Sequence, residues 1–262
     1  YRITKGMTNN DIINSIRSQN MPIKLTFNNQ HSLEALAQRI STQIEPDSLS
    51  LVQAFTDEKF LKDHGFTSET ALSMYLPNSY EFFWNTSPEK FRLKMLKSYR
   101  RFWNDDRKEK AKKIGLSPTE VSILSAIVQE ESKQQSEQKR IAGVYMNRLQ
   151  KRWPLQADPT LKFAAYKLPA YKHKIIKRLL NTHKTIQSPY NTYMYKGLPP
   201  GLIAMPDLSA IDAVLNYEKH DFFYFAASPN RPGFHNFSKS LSGHNKNARL
   251  YHNYLNKKGV KN

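Results

Sequence analysis

The sequence predicts an α+β fold that is mainly helical and carries short β hairpins. Three observations lead to this prediction. Apolar residues recur at helical spacing along much of the chain, short stretches alternate as strands do, and Pro- and Gly-containing segments separate them. A chain of 262 residues is long enough for one large domain or two smaller ones. A hydrophobic content of 39% is typical of a folded protein.

The first elements predicted in chain order are a strand, a helix and a second strand, all within residues 1–27. Thr8 and Asp11 have the spacing of a capping pair at a helix start, and isoleucines follow at helical spacing. The segment IKLTF at 23–27 alternates like a strand. These residues are therefore predicted to form a small βαβ-like unit.

Two amphipathic helices come next, at residues 32–44 and 87–105, with an extended aromatic segment at 75–82 between them. The second helix is predicted to begin at Pro88 with Ser87 as its N-cap, because proline suits the first helical turn. A basic stretch at 107–115 then leads into the second half of the chain.

The second half is predicted to begin with two helices. The sequence SPTE at 117–120 is a capping box with proline in the first turn, and it precedes the apolar run that ends in QEES. Another helix follows at 138–153. After it we predict a loop at 154–160, a Lys/Tyr-rich helical stretch, an ordered functional loop at 188–206, a hairpin at 222–237 and a basic C-terminal helix.

The composition limits the partners and the chemistry. The formal net charge of +18, from 40 Lys and Arg against 22 Asp and Glu, indicates an anionic partner: nucleic acid, anionic lipid or an acidic polymer such as cell wall. The absence of cysteine excludes thiol catalysis, disulfides and cysteine metal sites. No apolar run approaches the ~20 residues of a membrane span. The chain begins YRITKG, without a methionine or a signal peptide, which we interpret as a trimmed fragment.

One of the two glutamates of QEES is selected by helical geometry. With about 100° per residue and Val121 at zero, Glu131 falls near 280°, inside the apolar stripe, whereas Glu130 falls on its flank and Gln129 on the polar side. A carboxyl on a buried stripe has a raised pKa, which suits a general acid near neutral pH. The alternative is that the stripe ends at Val128 and that Glu131 merely lies in the last turn.

Three further groups of residues are candidates for function. LQADPT offers Gln156, Asp158 and Thr160, or is simply an Asp-Pro turn. SPYNTY offers tyrosine faces beside amide and hydroxyl groups, which suit sugar rings, or is a packed aromatic loop. Three histidines near the C-terminus lack the spacing of a helical zinc site and are predicted to be structural or hydrogen-bonding groups: His235, His244 and His252. We therefore predict no metal and no cofactor.

Taken together and in order, these motifs resemble the YceG-like family of endolytic murein transglycosylases. The resemblance rests on SAIVQEES, IAGVYMNRLQKRWPLQADPT, SPYNTYMYKGLPPGLIAMP and FFYFAASPNRPGFHNFSKSLSGHN, and it extends more weakly to YLPNSYEF. It implies residues 1–30 as the end of a LysM-like module, 31–106 as a helical connecting region and 107–262 as the catalytic core. Gln129 stands where the family often has the first Glu of Glu-x-Glu.

The resemblance also implies an activity: cleavage of the β-1,4 bond between N-acetylmuramic acid and N-acetylglucosamine inside glycan strands, leaving 1,6-anhydro ends. Glu131 would be the catalytic acid and then the base. The expected partners are peptidoglycan strands, peptidoglycan synthases and an anionic membrane surface. The expected location is outside the cytoplasm, at the inner membrane, held by an N-terminal span that this chain lacks. The substrate-binding residues would be Gln156, Asp158, Thr160, Tyr190, Asn191, Thr192, Tyr193, His235, His244 and Asn245.

Other functions stay open at this point. Asp158 could activate water as a second carboxylate, which would make the protein a hydrolase of the same substrate. A basic nucleic-acid-binding protein would use Arg100, Arg101 and the Lys-rich helices on phosphates, but no nucleic-acid-binding signature is present and no nucleic-acid partner is expected. A non-catalytic wall-binding module is the third alternative.

Overall fold

The chain forms two compact units, residues Tyr1–Arg100 and Arg101–Asn262. The computed structural model describes residues 3–18, 20–171, 176 and 179–258. Short antiparallel strands accompany many helices, which confirms the α+β class. Among the described residues, no helix combines the length and the apolar character needed to cross a bilayer.

The first unit is a small two-stranded sheet covered by helices. Its elements are α1 (Asn9–Ser18), β1 (Ile23–Phe27), α2 (Leu33–Ser41), α3 (Ser48–Phe55), α4 (Glu58–Asp63), β2 (Asn78–Phe82) and most of α5 (Pro88–Phe102). β1 and β2 are antiparallel, with Ile23 opposite Phe82 and Phe27 opposite Asn78. The predicted extended segment at 75–82 thus supplies β2. Ser87 caps α5 through a 3.3 Å bond from the backbone N–H of Lys90, as predicted.

The predicted first strand of a βαβ unit is wrong for the residues described. Residues 3–8 form no strand, and Ile3 is 55% exposed. The partner of β1 is instead β2, some fifty residues further along the chain. Strand pairing requires a partner edge, and the edge of β1 that could have served residues 3–8 is satisfied in part by Gln43, whose side chain bonds both backbone groups of Thr26.

The second unit is built around one buried helix. Its elements are α6 (Asp105–Lys113), α7 (Pro118–Glu131), α8 (Gln135–Gln150), α9 (Asp158–Tyr166), α10 (Leu208–Leu215), β3 (Tyr224–Ala227), β4 (His235–Ser238) and α11 (Leu241–Lys257). Every residue of α7 from Val121 to Gln129 is buried, and α6, α8, α9 and α10 all contact it. α7 begins with the predicted capping box, in which Ser117 and Glu120 each bond the other's backbone N–H.

Two further predictions for the second unit, the hairpin and the basic C-terminal helix, are confirmed. The hairpin forms as β3 and β4, with Tyr224 opposite Ser238, and the basic C-terminal helix is α11. The basic stretch at 107–115 is mostly helical, as α6, whose N-cap is Asn104. α9 begins at Asp158, inside the predicted loop, because Asp158 and Pro159 suit a first helical turn. Part of the Lys/Tyr-rich stretch lies outside the described residues.

Helix α8 approaches the segment before β3 very closely. A Cβ added to Gly143 would lie 2.2 Å from the backbone oxygen of Glu218 and 2.7 Å from Nε2 of His220. The backbone N–H of Glu218 donates to the carbonyl of Lys139 over 2.9 Å. Only glycine allows this approach, which positions the hairpin against α8.

Candidate functional site

Glu131 is the last residue of α7, and its side chain is partly exposed to solvent. Its Oε1 accepts a 2.6 Å hydrogen bond from the hydroxyl of Tyr145, which lies on the neighbouring helix α8. Burial raises the pKa of Glu131 from 4.5 to about 7, against the lowering effect of the Tyr145 bond, while the negative charge of Asp158 raises it further. A carboxyl with such a pKa can give up or take a proton near neutral pH.

The neighbours of Glu131 face different surroundings. Glu130 is flanking and solvent-accessible, as predicted, and forms a 2.8 Å ion pair with Lys133. The prediction for Gln129 is wrong, because its side chain is buried and not on a polar face. Its amide nitrogen donates to the carbonyl of Met205 over 3.3 Å, and its Oε1 accepts from the backbone N–H of Asp207 over 2.6 Å. The chain before α10 therefore covers this side of α7.

A cavity of about 490 Å³ opens on one side of Glu131, and we call it the polar cavity. The loop before α9, the start of β3 and the first turn of α11 form its walls. The side chains that carry its polar groups are Glu131, Tyr145, Arg148, Gln156, Asp158, Lys184, Tyr193, Tyr224 and His244. Glu131, Gln156, Asp158, Tyr193 and His244 were all predicted as site residues, and the fold brings them together here.

A second cavity, of about 410 Å³, opens on the other side of Glu131, and we call it the hairpin cavity. It lies between the segment that follows α7, the β3–β4 turn and α11. Its walls are largely apolar or aromatic, with Ala227, Pro232, Phe234, Tyr251 and Tyr254 beside Glu131 and His235. Because the two cavities share Glu131, a chain-like ligand that occupied both would pass across this carboxyl.

Charged and phenolic groups are held in fixed positions in the polar cavity. The hydroxyl of Tyr193 donates a 2.5 Å bond to Oδ1 of Asp158. Burial, followed by the charge of Asp158, raises the pKa of Tyr193, so the phenol keeps its proton. The guanidinium of Arg148 is buried and donates from Nε to the carbonyl of Phe223 over 2.8 Å and from Nη1 to the carbonyl of Leu155. Arg148 therefore ties α8 to the residue before β3 and to the loop before α9.

Four predicted site residues are buried and line neither cavity: Thr160, Tyr190, Asn191 and Thr192. The hydroxyls of Thr160 and Thr192 lie 2.8 Å apart, and Thr192 also accepts a 3.0 Å bond from the backbone N–H of Ala157. The amide of Asn191 donates to the carbonyls of Lys184 and Ile186, while the ring of Tyr190 packs on Phe163. These side chains join the 188–193 loop to α9 and so position Asp158 and Tyr193.

The C-terminal histidines lie in different places. His235 lines the hairpin cavity, whereas His244 lines the polar cavity with its ring stacked on Tyr224 at 5.4 Å. Burial, and then the charge of Arg148, lowers the pKa of His244, which favours a neutral ring. Asn245 and His252 are exposed on α11, and Asn245 lines neither cavity. Among the described residues, no group of three or more His, Asp or Glu side chains could hold a metal ion.

Sequence reasoning missed Tyr145 and Arg148. Both lie on the face of α8 that carries Ile141 and Val144, at spacings of three and four residues. The argument that selected Glu131, a polar group inside an apolar stripe, would have selected Arg148 as well. Nothing in the local sequence distinguishes Tyr145 from an ordinary core tyrosine, because its partner is on another helix.

Known proteins resemble this chain along most of its length. The YceG-like family model matches residues 1–250. An endolytic murein transglycosylase of Bacillus subtilis strain 168 is 38% identical over 151 residues, which are 58% of this chain and 39% of the relative. A protein of the same name from Streptococcus pneumoniae D39 is 35% identical over 112 residues, 43% of this chain and 20% of the relative.

A solved structure agrees with these matches. The 2.6 Å crystal structure of a yceG-like protein from Listeria monocytogenes is 28% identical, with a TM-score of 0.71 over 94% of this chain and 83% of that one. The chain spans less than half the length of the Bacillus and Streptococcus relatives. Since the family model matches nearly the whole sequence, the chain belongs to the YceG-like family.

Proposed function

We propose that the protein is an endolytic peptidoglycan lytic transglycosylase, with Glu131 as its catalytic residue. The observation that carries the proposal is the position of Glu131: a carboxyl with a pKa of about 7, hydrogen-bonded to one phenol, at the junction of two open cavities. The names of the Bacillus and Streptococcus relatives support the reaction class.

The proposed reaction uses one carboxyl twice. Protonated Glu131 gives its proton to the oxygen that joins C1 of N-acetylmuramic acid to the 4-position of N-acetylglucosamine, and the C1–O bond breaks. The resulting C1 centre is oxocarbenium-like or an oxazolinium. Glu131, now ionised, removes the proton of the muramic acid 6-hydroxyl, and O6 bonds to C1. One product has a 1,6-anhydro end and the other a free 4-hydroxyl, so no water is consumed.

The surrounding side chains support these steps. The bond from Tyr145 to Oε1 of Glu131 leaves Oε2 to carry the transferred proton. Gln156, Asp158 and Tyr193 would contact the sugar in the polar cavity, and Thr160, Tyr190, Asn191 and Thr192 would hold that wall in place. No cofactor enters the mechanism, because Glu131 donates the proton that the leaving oxygen takes up and then accepts the proton that the 6-hydroxyl loses.

The water-using alternative has one observation in its favour, since Asp158 lies in the same cavity as Glu131 and raises its pKa. As a second carboxylate Asp158 could activate water, as in a typical glycosidase. Its Oδ1, however, already accepts a hydrogen bond from the Tyr193 hydroxyl, so this oxygen is occupied and does not face a free water molecule. We therefore favour the intramolecular reaction.

Digestion of purified peptidoglycan tests the proposal and distinguishes the two reactions. We expect the protein to release fragments with 1,6-anhydro ends, identified by mass spectrometry, whereas hydrolysis would give reducing ends. Glu131→Gln should lower the rate at least about a thousandfold, because the amide can neither donate nor accept the proton. Glu130→Gln, the same change one residue earlier on α7, is the control and should keep full activity. Strand cleavage by Glu131→Gln would refute the mechanism.

The setting of the activity is also proposed. We infer that the protein works outside the cytoplasm at the membrane surface, on peptidoglycan made there by synthases, with an anchoring span outside this chain. The Bacillus relative is named for action on murein, which supports that location.

We further propose that residues 1–30 are the end of a LysM-like module, that 31–106 connect it to the core, and that 107–262 are catalytic. Binding of the protein to labelled sacculi would test its attachment to peptidoglycan. Its recovery in the membrane fraction of cells that express it would test the proposed location.

A further inference from the structure

Glu137 and His235 form a buried carboxylate–imidazole pair beside the hairpin cavity. Oε2 of Glu137 lies 2.8 Å from Nδ1 of His235, and Oε1 accepts a 2.8 Å bond from the backbone N–H of the same histidine. Glu137 is only 7% exposed. Both oxygens of this carboxylate therefore hold one residue, by its backbone and by its ring. The hydroxyl of Ser132, which directly follows Glu131, lies 3.5 Å from Oε2.

This arrangement selects one form of the histidine ring. The backbone N–H can only donate, so it requires an acceptor at Oε1, and an ionised carboxylate is an acceptor at Oε2 as well. Nδ1 must then carry a proton, and the neutral ring keeps its lone pair on Nε2. Within the described part of the chain, Nε2 has no hydrogen-bond partner and is not among the buried unsatisfied atoms. It is thus open to the cavity that His235 lines.

The cavity gives Nε2 a specific chemical use. Its walls include Pro232, Phe234 and Tyr251, whose apolar and aromatic surfaces suit the faces of a sugar ring. Polar side chains, among them Lys133, Gln134 and Ser228, line the rest of it. Sugar hydroxyls that enter such a cavity need acceptors, because a buried donor without a partner is costly. A neutral Nε2 supplies one.

We propose that Glu137 is a positioning residue that holds His235 in the Nδ1–H form, so that Nε2 accepts a hydrogen bond from a sugar hydroxyl in the hairpin cavity. The identity of the donor as a glycan hydroxyl rests on the proposed function. The form of the ring does not, because it follows from the contacts of Glu137 alone.

Glu137→Gln gives a sharp test because it preserves shape and changes one acceptor into a donor. The amide oxygen must stay opposite the backbone N–H of His235, since that group cannot become an acceptor. The amide nitrogen then faces Nδ1 and donates to it. We therefore expect the variant to invert the ring to the Nε2–H form and to present a donor to the cavity.

The ring form is measured by two-bond ¹H–¹⁵N NMR of the free protein at about pH 8.5, above the ordinary histidine pKa of about 6.5. We expect His235 to be Nδ1–H in the wild type and Nε2–H in Glu137→Gln. His244 is the matched control, because it lines the other cavity and no carboxylate of the described residues contacts its ring. Its signals should stay unchanged. A wild-type His235 with its proton on Nε2, or a variant with an unaltered ring, would overturn the inference.

Glycan cleavage tests the use of Nε2. We expect Glu137→Gln to lower kcat/KM about tenfold, with Glu130→Gln unchanged. His235→Gln places an amide near the former Nε2 and should retain more activity than His235→Asn, whose amide reaches only the former Nδ1. Equal losses in these two variants, or an inverted ring with full activity, would refute the sugar contact. A wild-type protein that cleaves no glycan would overturn the proposed function and the sugar partner together, while the NMR result would still decide the role of Glu137.

Discussion

The ionisation of Glu131 links the proposed chemistry to the stability of the protein. Its pKa is 4.5 in an unfolded chain and about 7 in the fold, mainly because of burial. Below pH 4.5 both states hold the proton, and the carboxyl does not oppose folding. Between these two pKa values the unfolded chain loses its proton first, so each rise in pH favours unfolding. Above about pH 7 the full cost, about 3 kcal/mol, is present.

We therefore expect the stability of Glu131→Gln relative to the wild type to increase with pH. The difference in free energy of unfolding between the two proteins, measured with urea at about pH 4 and about pH 8.5, should shift by about 3 kcal/mol in favour of the variant. Other titrating groups cancel in this difference because both proteins contain them. A difference that does not change with pH would contradict the raised pKa, whatever the activity of the protein.

Tyr145 should affect the pH dependence of activity through its bond to Glu131. That bond lowers the pKa of Glu131, so Tyr145→Phe should raise it further. Wild-type cleavage should fall as pH rises through about 7, where the acid form is lost, and in Tyr145→Phe this fall should move to higher pH. At low pH the variant should be about tenfold slower, because the carboxyl is less well oriented.

The control for Tyr145→Phe is Tyr195→Phe, which removes a 3.3 Å bond to Gln187 outside both cavities. Its pH profile should match that of the wild type. If the falling limb of Tyr145→Phe stays in place, the phenol does not control the carboxyl.

For single residues, the sequence was enough to identify Glu131 but not the side chains that surround it. A helical wheel assumes one buried face, and Glu131 satisfies that assumption because it lies on the stripe of Leu124 and Val128. Gln129 does not fit the assumption of one buried face, because α7 is enclosed on nearly all sides. The buried amide of Gln129 forms hydrogen bonds with the backbone of Met205 and Asp207, which are distant in sequence. Such contacts across 76 and 78 residues leave no local pattern in the sequence.

Elements with a local signal were predictable, and those without one were not. The capping box of α7, Pro88 at the start of α5 and the Pro/Gly turn of the hairpin all act through residues a few positions apart. The pairing of β1 with β2 depends instead on two segments far apart in sequence. The short helix α10 also gave no clear signal, because its eight residues form too short a periodic pattern.

The end of α8 contains a backbone strain that can be removed. The helix closes with a Schellman motif, in which Trp153 N–H donates to the carbonyl of Arg148 and Arg152 N–H to that of Leu149. The motif requires a left-handed residue, and Arg152 adopts φ 54° there. Arg152→Gly should raise the free energy of unfolding by about 0.5–1 kcal/mol, since glycine adopts this conformation without a steric penalty.

Urea unfolding measures this effect, and Lys151→Gly provides the matched control. Lys151 precedes Arg152 with φ −86°, an ordinary helical value, so glycine there should lower stability by about 0.5–1 kcal/mol. The two substitutions should thus have opposite signs. In the part of the chain that the structure describes, Gln156 is the other non-glycine residue in the left-handed region, with φ 51°, and it lines the polar cavity.

For the whole molecule, the positive charge is concentrated in one unit. Residues 101–262 carry 28 Lys and Arg against 12 Asp and Glu, whereas residues 1–100 carry 12 against 10. Sequence composition predicted an anionic partner, but only the division into units assigns the charge to the part that contains Glu131. Peptidoglycan bears stem-peptide carboxylates, so electrostatic attraction should hold this unit on its proposed substrate.

Retention on purified sacculi should therefore weaken with salt and depend on which unit carries the charge. We compare two triple variants with the same net charge, both altered at exposed lysines: Lys151, Lys246 and Lys257→Glu in the second unit, and Lys24, Lys59 and Lys62→Glu in the first. Less of the wild-type protein should stay bound to sacculi as NaCl rises from about 50 mM to about 500 mM, because salt screens the attraction between exposed charges. The second-unit variant should elute at lower salt than the first-unit variant, since the local density of charge decides binding. Equal elution of the two would mean that only the net charge matters, and salt-independent retention of the wild type would rule out electrostatic binding.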